Sequence, residues 1–149
     1  MPASGTVDIP AAIIDALVEH ARLEAPNESC GLILGDRPAA EGGTPSRYVA
    51  TRNAAASPDR YEIDPWDLLR LTLDADDHGE VFWAIVHSHG RSPARPSATD
   101  MAEAFYPEAL HVLVSLDDGE TDRVTGRPSV RAWRIRAKEL FEVSIELNG

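Results

Sequence analysis

The sequence predicts a single mixed α/β domain in which a central β-sheet of six or seven strands is flanked by about three helices. Three observations lead there. Short apolar segments bounded by turn residues (28–35, 80–89 and 109–116) have the length and density of buried strands. Segments with apolar residues at helical spacing lie between them. At 149 residues the chain can bury a real core, yet it contains no internal repeat, low-complexity tract or second composition.

The elements follow in order. Asp8 and Pro10 form a helix-start signal, and Ile13, Leu17 and Ala21, with Ile14 and Val18, repeat at helical spacing up to the break at Pro26. ESCGLILG (28–35) reads as a strand, DRPAAEGGTPS (36–46) as a loop, and RYVATRN (47–53) and RYEIDP (60–65) as strands around a turn-rich connection. Asp64 as cap and Pro65 at the first helical position open a second helix carrying Leu68, Leu69, Leu71 and Leu73, which stops at Gly79. EVFWAIVHSH is the strongest strand signal. A third helix is expected from Ser97 to about Phe105, then a strand at 109–116. SVRAWRIR and LFEVSIEL alternate as half-exposed strands do. Trp66, Trp83 and Trp133 are expected in the core or half-buried.

Charge narrows the function. Acidic residues outnumber basic ones 25 to 14, for a net charge of −11, which excludes binding along a nucleic-acid backbone. It implies a solvated acidic surface whose self-repulsion salt would relieve. No apolar run approaches a membrane span, and Asp8, Asp15 and Glu19 interrupt any secretory pattern. A lone cysteine, Cys30, excludes an internal disulfide framework and is expected as a small buried hydrophobe. A cytoplasmic, membrane-independent protein is the expectation.

The chemistry-bearing stretch is VFWAIVHSHGRSPARPSATDMAEAF (81–105). On extended backbone, side chains two apart share a face, so His87 and His89 can converge while Ser88 points away. Two readings are open: a pair of metal-binding imidazoles, or two satisfied structural histidines. Ser97 and Asp100 also read in two ways. Serine followed three residues later by an acid is a capping box, and the same acid can be a third ligand. Two histidines and one carboxylate leave a coordination position for water, which is the arrangement of catalytic rather than structural zinc. Such a site needs a base that is not a ligand. The helical HExxH pattern and the PCxxC partner of nucleotide deaminases are both absent. Glu28, beside a helix break, is a candidate base, or else a solvated glutamate. His111 reads as a structural hydrogen bonder, and Asn53 and Tyr61 as groove residues.

His87-Ser88-His89, seven residues, Ser97, two residues and Asp100, with Glu28 upstream in ESCGLILG, resemble the JAMM motif of the catalytically competent MPN (Mov34/PAD-1) metalloproteases. HARLEAPNESCGLILG, RYEIDP, WAIVHSH and FYPEALHVLVSL resemble the compact prokaryotic, Mec-like branch, so the likeness covers about residues 8–136. The resemblance implies an MPN-like (cytidine-deaminase-like) fold with Zn2+ held by His87, His89 and Asp100. It implies Glu28 as general acid/base and Ser97 as oxyanion partner. It further implies a metallo(iso)peptidase acting at the Gly-ended tail of a small ubiquitin-fold or sulfur-carrier protein resembling ThiS or MoaD, and in one subgroup on a carrier–cysteine conjugate. Two other roles of the fold, a non-catalytic scaffold and the DNA-associated role of RadC relatives, are opposed by the intact ligand set and by the negative charge. One departure stands out: Gly90 replaces the proline common after the second histidine, which implies a looser loop beside the site.

Overall fold

The computed structural model describes residues 5–148, which form one seven-stranded sheet with three α-helices. In chain order the elements are β1 (Thr6–Pro10), α1 (Ala11–Glu24), β2 (Cys30–Gly35), β3 (Pro45–Thr51), α2 (Pro65–His78) and β4 (Val81–His89). They continue with α3 (Ala98–Ala102), β5 (Leu110–Ser115), β6 (Ser129–Arg136) and β7 (Glu139–Asn148). The sheet order is β1-β7-β6-β5-β4-β2-β3. The β4–β5 and β1–β7 pairs are parallel and the rest antiparallel.

Side-chain alternation divides the core. Ile33, Val86, Val112 and Val114 lie with Ile13, Leu17 and Ala21 of α1, whereas Leu32, Leu34 and Ile85 lie with Leu71 and Ala75 of α2. Strands β2 and β5 are buried along their whole length and β4 from Trp83 onward, as strands covered on both faces must be. Helix α2 begins as its sequence dictates. Asp64 accepts hydrogen bonds from the Trp66 and Asp67 amides, Pro65 supplies the preset φ, and Gly79 (φ 65°) closes the helix in the left-handed region. A bulge opposite Ile33–Leu34 makes Trp83 an extra residue in β4. Trp83 thereby joins the α1 cluster, and its indole donates to the Gly43 carbonyl at 2.9 Å. Gly31 has no room for a side chain, because a Cβ would overlap the Tyr48 hydroxyl and lie 2.6 Å from the Val49 carbonyl oxygen.

Four expectations need correction. Residues 6–10 form β1 rather than a helix start, because pairing with the C-terminal strand β7 is a long-range event with no local signal. Residues 60–65 make only an isolated bridge, Asn53 to Ile63, since Pro65 and the Asp64 cap draw the chain into α2. Helix α3 ends at Ala102, three residues early. Trp66 is 77% exposed on the outer face of α2, unlike the buried Trp83 and Trp133. The two C-terminal strands are joined by Ala137 and Lys138, both at positive φ, a tight turn written without the usual glycine or asparagine.

Candidate active site

The site forms where the C-terminal end of β4 meets the entrance to β2. His87 lies opposite Cys30 in the β4–β2 ladder. Just before that ladder, the Ser29 amide donates to the Ser88 hydroxyl (2.8 Å) and the Ser88 amide returns a bond to the Ser29 carbonyl (3.2 Å). Ser88 thus points away from its neighbours and staples Glu28 beside the histidines. Glu28, His87 and His89 are all buried, and each brings a potential ligand atom within 4.8 Å of the others.

Asp100 arrives from the first turn of α3. The Ser97 hydroxyl accepts from the Asp100 amide (3.1 Å), and Asp100 Oδ2 accepts from the Ser97 amide (2.8 Å), a complete capping box. The same Oδ2 lies 3.0 Å from His87 Nε2 and 3.2 Å from His89 Nε2. The capping and ligand readings therefore hold together, because the box aims the carboxylate at both imidazoles. His89 Nδ1 donates to the Pro93 carbonyl at 2.9 Å, so Nε2 donates to Asp100 when the ring is protonated and carries the lone pair when the ring is neutral.

These distances test whether a metal fits. Ligand atoms sharing a tetrahedral ion at about 2.0–2.1 Å lie about 3.3 Å from one another. The observed 3.0 and 3.2 Å are close to that spacing. A nitrogen lone pair facing a carboxylate oxygen at this range is repulsive unless a proton or a cation lies between them. The donor set, two imidazoles and a carboxylate, suits a borderline divalent ion. The residues can hold a metal.

The electrostatics are those of a buried cluster. Burial raises the Asp100 carboxyl, but the hydrogen bonds from His87 and His89 outweigh it and hold the group well below the ordinary carboxylate range. Burial lowers His87. It also opposes charge on His89, yet the bonds to Asp100 and the Pro93 carbonyl leave that ring raised. Glu28 behaves differently: burial pushes its carboxyl up to about 7, and no hydrogen bond reaches the carboxylate among the described residues. A proton can therefore move on and off Glu28 near neutral pH. Glu28, His89 and Ser97 line a cleft of about 710 Å³ together with Asp59 and Arg91.

The loop after His89 is tied to the sheet by hydrogen bonds. Three successive carbonyls are pinned: Ser92 by the Ser115 hydroxyl (2.6 Å), Pro93 by His89, and Ala94 by the Trp133 indole (2.8 Å). The donors come from three different strands, so no pattern within 90–97 could have announced them.

The other candidates resolve differently. Cys30 is buried with its sulfur 3.2 Å from the Thr51 hydroxyl, and burial pushes the thiol up to about 11, which removes it from chemistry at neutral pH. Tyr61 stacks on His87 with ring centroids 4.3 Å apart and also lines a separate apolar cavity of about 590 Å³. Asn53 is buried rather than lining the cleft, and its amide serves the main chain. His111 makes no ring hydrogen bond among the described residues, in contrast to the expectation of a structural bond.

His111 carries a pH prediction. Burial holds its ring at about 4, against 6.5 for a free histidine. Below pH 6.5 the unfolded chain takes up a proton that the folded one refuses, so stability falls as pH drops from 6.5 toward 4. At pH 4.5 the loss is about 2–3 kcal/mol. In metal-free protein, melting temperature should therefore fall between pH 7 and 4.5 by about 5–10 °C less in His111→Leu than in wild type. Equal falls would show that His111 titrates normally.

The profile of the family described as prokaryotic homologs of the JAB domain matches residues 10–136. The CysO-cysteine peptidase of Mycobacterium tuberculosis is 37% identical over 128 residues, which cover 85% of this chain and 81% of that protein. The desampylase of Haloferax volcanii is 30% identical over 136 residues, covering 88% of each. The crystal structure of a JAB1/MPN domain protein from Archaeoglobus fulgidus superposes with a TM-score of 0.58 at 17% identity, covering 96% of this chain and all of that one. That likeness carries the fold alone.

Proposed function

The chain belongs to the family of prokaryotic homologs of the JAB domain, and on that premise we propose that it is a zinc-dependent metallo(iso)peptidase. Its substrate is an amide bond at the Gly-ended C-terminus of a small ubiquitin-fold or sulfur-carrier protein, including a carrier–cysteine conjugate. The observation that carries this reading is the convergence of His87 Nε2 and His89 Nε2 on Asp100 Oδ2 at 3.0 and 3.2 Å, beside a cleft lined by Glu28 and Ser97. The substrate class rests on the relatives, named as a CysO-cysteine peptidase and a desampylase. We treat residues 1–149 as one such domain with its core at about 8–136. A cytoplasmic setting agrees with the lone buried thiol and with the absence, among the described residues, of any helix long and apolar enough to cross a membrane.

In this mechanism His87, His89 and Asp100 would hold the zinc, and the capping box and the Pro93 carbonyl fix the orientation of Asp100 and His89. When bound, zinc supplies Lewis acidity, bringing the pKa of water toward about 7 and polarising the scissile carbonyl. Glu28 accepts the attacking water's proton on its carboxylate and returns it to the leaving amine. Its raised pKa suits both transfers near neutral pH. The Ser97 oxygen accepts from the Asp100 amide, so its hydroxyl proton is free to donate to the developing oxyanion. A tail ending in glycines has no side chains to obstruct an extended path along the cleft.

The test is direct. Zinc-loaded protein incubated with carrier conjugates should release the carrier with a free glycine terminus, and a chelator should stop the release. Intact conjugates across a panel of carriers, with the metal loaded, would refute the assignment.

A further inference from the structure

Glu28 has a placement problem that its own strand does not solve. It precedes the first ladder residue of β2, so the sheet pairs neither its N–H nor its C=O. Its carboxylate accepts no hydrogen bond among the described residues, so only the main chain fixes where the side chain points. That main chain is held from one side. The Glu28 amide donates to the Ser57 carbonyl at 2.9 Å, and the Glu28 carbonyl accepts from Asn53 Nδ2 at 3.0 Å. Both partners belong to the segment between β3 and α2.

Asn53 is built for this duty. It is 6% exposed, and its amide is fully used. Nδ2 donates to Glu28 and to the Arg60 carbonyl (3.1 Å), while Oδ1 accepts from the Ala55 and Glu62 amides (2.9 and 3.0 Å). One side chain thus closes the 54–62 loop on itself and clamps it to the peptide of Glu28. The same loop delivers Tyr61 onto the face of His87. No other side chain reaches the Glu28 main chain among the described residues.

We propose that Asn53 is a positioning residue of the hydrolytic site: by fixing the main chain of Glu28, it sets where the Glu28 carboxylate stands relative to the paired imidazoles. The proposal rests on the role given to Glu28 above. A displacement of about 1 Å in a reacting group costs on the order of 100-fold in rate, so a clamp of this kind controls kcat without touching substrate.

The experiment compares Asn53→Asp, Glu28→Gln and the double variant in zinc-loaded protein, measuring kcat, KM and metal content on a carrier conjugate that wild type cleaves. Aspartate keeps the two acceptor bonds and loses the two donations. Asn53→Asp should lower kcat about 10–100-fold, with KM within about threefold and zinc stoichiometric. In the Glu28→Gln background the same change should cost nothing further, because Asn53 acts through Glu28. A purely structural residue would instead lower both backgrounds alike. A second readout needs no substitution: both side-chain amide protons of Asn53 in wild type should be protected from solvent exchange in NMR spectra. An undiminished kcat in Asn53→Asp, a multiplicative loss in the double variant, or rapidly exchanging amide protons would each overturn the proposal. Failure of wild type to cleave any conjugate would instead strike the functional reading beneath it.

Discussion

Glu28→Gln should lower conjugate cleavage by about 10²–10⁴-fold while leaving the fold and the bound zinc in place. The size follows from the group's isolation. Glu28 is a buried carboxyl beside the imidazole pair whose pKa lies at about 7, and no other acid among the cleft residues combines that burial with that proximity. Glutamine preserves shape and hydrogen-bonding capacity but can neither take a proton from water nor return one to an amine. Stability should move the opposite way. Because burial raises the folded-state pKa from 4.5 to about 7, the metal-free protein loses stability as pH rises from 4.5 to about 7, where the unfolded chain has released a proton that folded Glu28 still holds, and the loss levels off above 7. The metal-free variant should therefore melt no lower than wild type at pH 8. Cleavage within threefold of wild type would remove Glu28 from the reaction.

Zinc should raise the melting temperature by about 8–16 °C when added at about 1,000 times its dissociation constant. Binding to the folded state alone contributes about 4 kcal/mol under those conditions, and each kcal/mol shifts a domain of this size by about 2–4 °C. His87, His89 and Asp100 are held in position by the sheet, the Pro93 carbonyl and the capping box, so the folded protein presents a formed site that the unfolded chain lacks. His87→Ala and Asp100→Ala should abolish the shift, since each leaves two ligands of three. A shift that persisted undiminished in Asp100→Ala would place the metal elsewhere.

Much of this was legible in the chain itself. Strand periodicity brings His87 and His89 to one face and capping chemistry marks Ser97 and Asp100, but each rule leaves a structural reading open, and the resemblance to the JAMM motif joins these residues and Glu28 into one site. The buried strands β2, β4 and β5 announce themselves by apolar density, and α2 by Asp64, Pro65 and Gly79. What escaped is non-local. Strand β1 exists because residues 6–10 pair with residues 144–148 at the far end of the chain. Residues 60–65 alternate like a strand, yet the helix cap captures them. The loop following Gly90 is held by Ser115 and Trp133, from strands that no spacing within the loop foretells. Asn53 reads from the sequence only as a groove residue ending the 47–53 segment, and its bond to the Glu28 carbonyl 25 residues away has no local signal.

The most direct measurement is anomalous diffraction at the zinc absorption edge from crystals of the zinc-loaded protein. The account predicts one strong peak at bonding distance from Nε2 of His87, Nε2 of His89 and a carboxylate oxygen of Asp100, with the Glu28 carboxylate nearby but not coordinating. A peak bound by Glu28 in place of Asp100, or no peak between the two imidazoles, would contradict it.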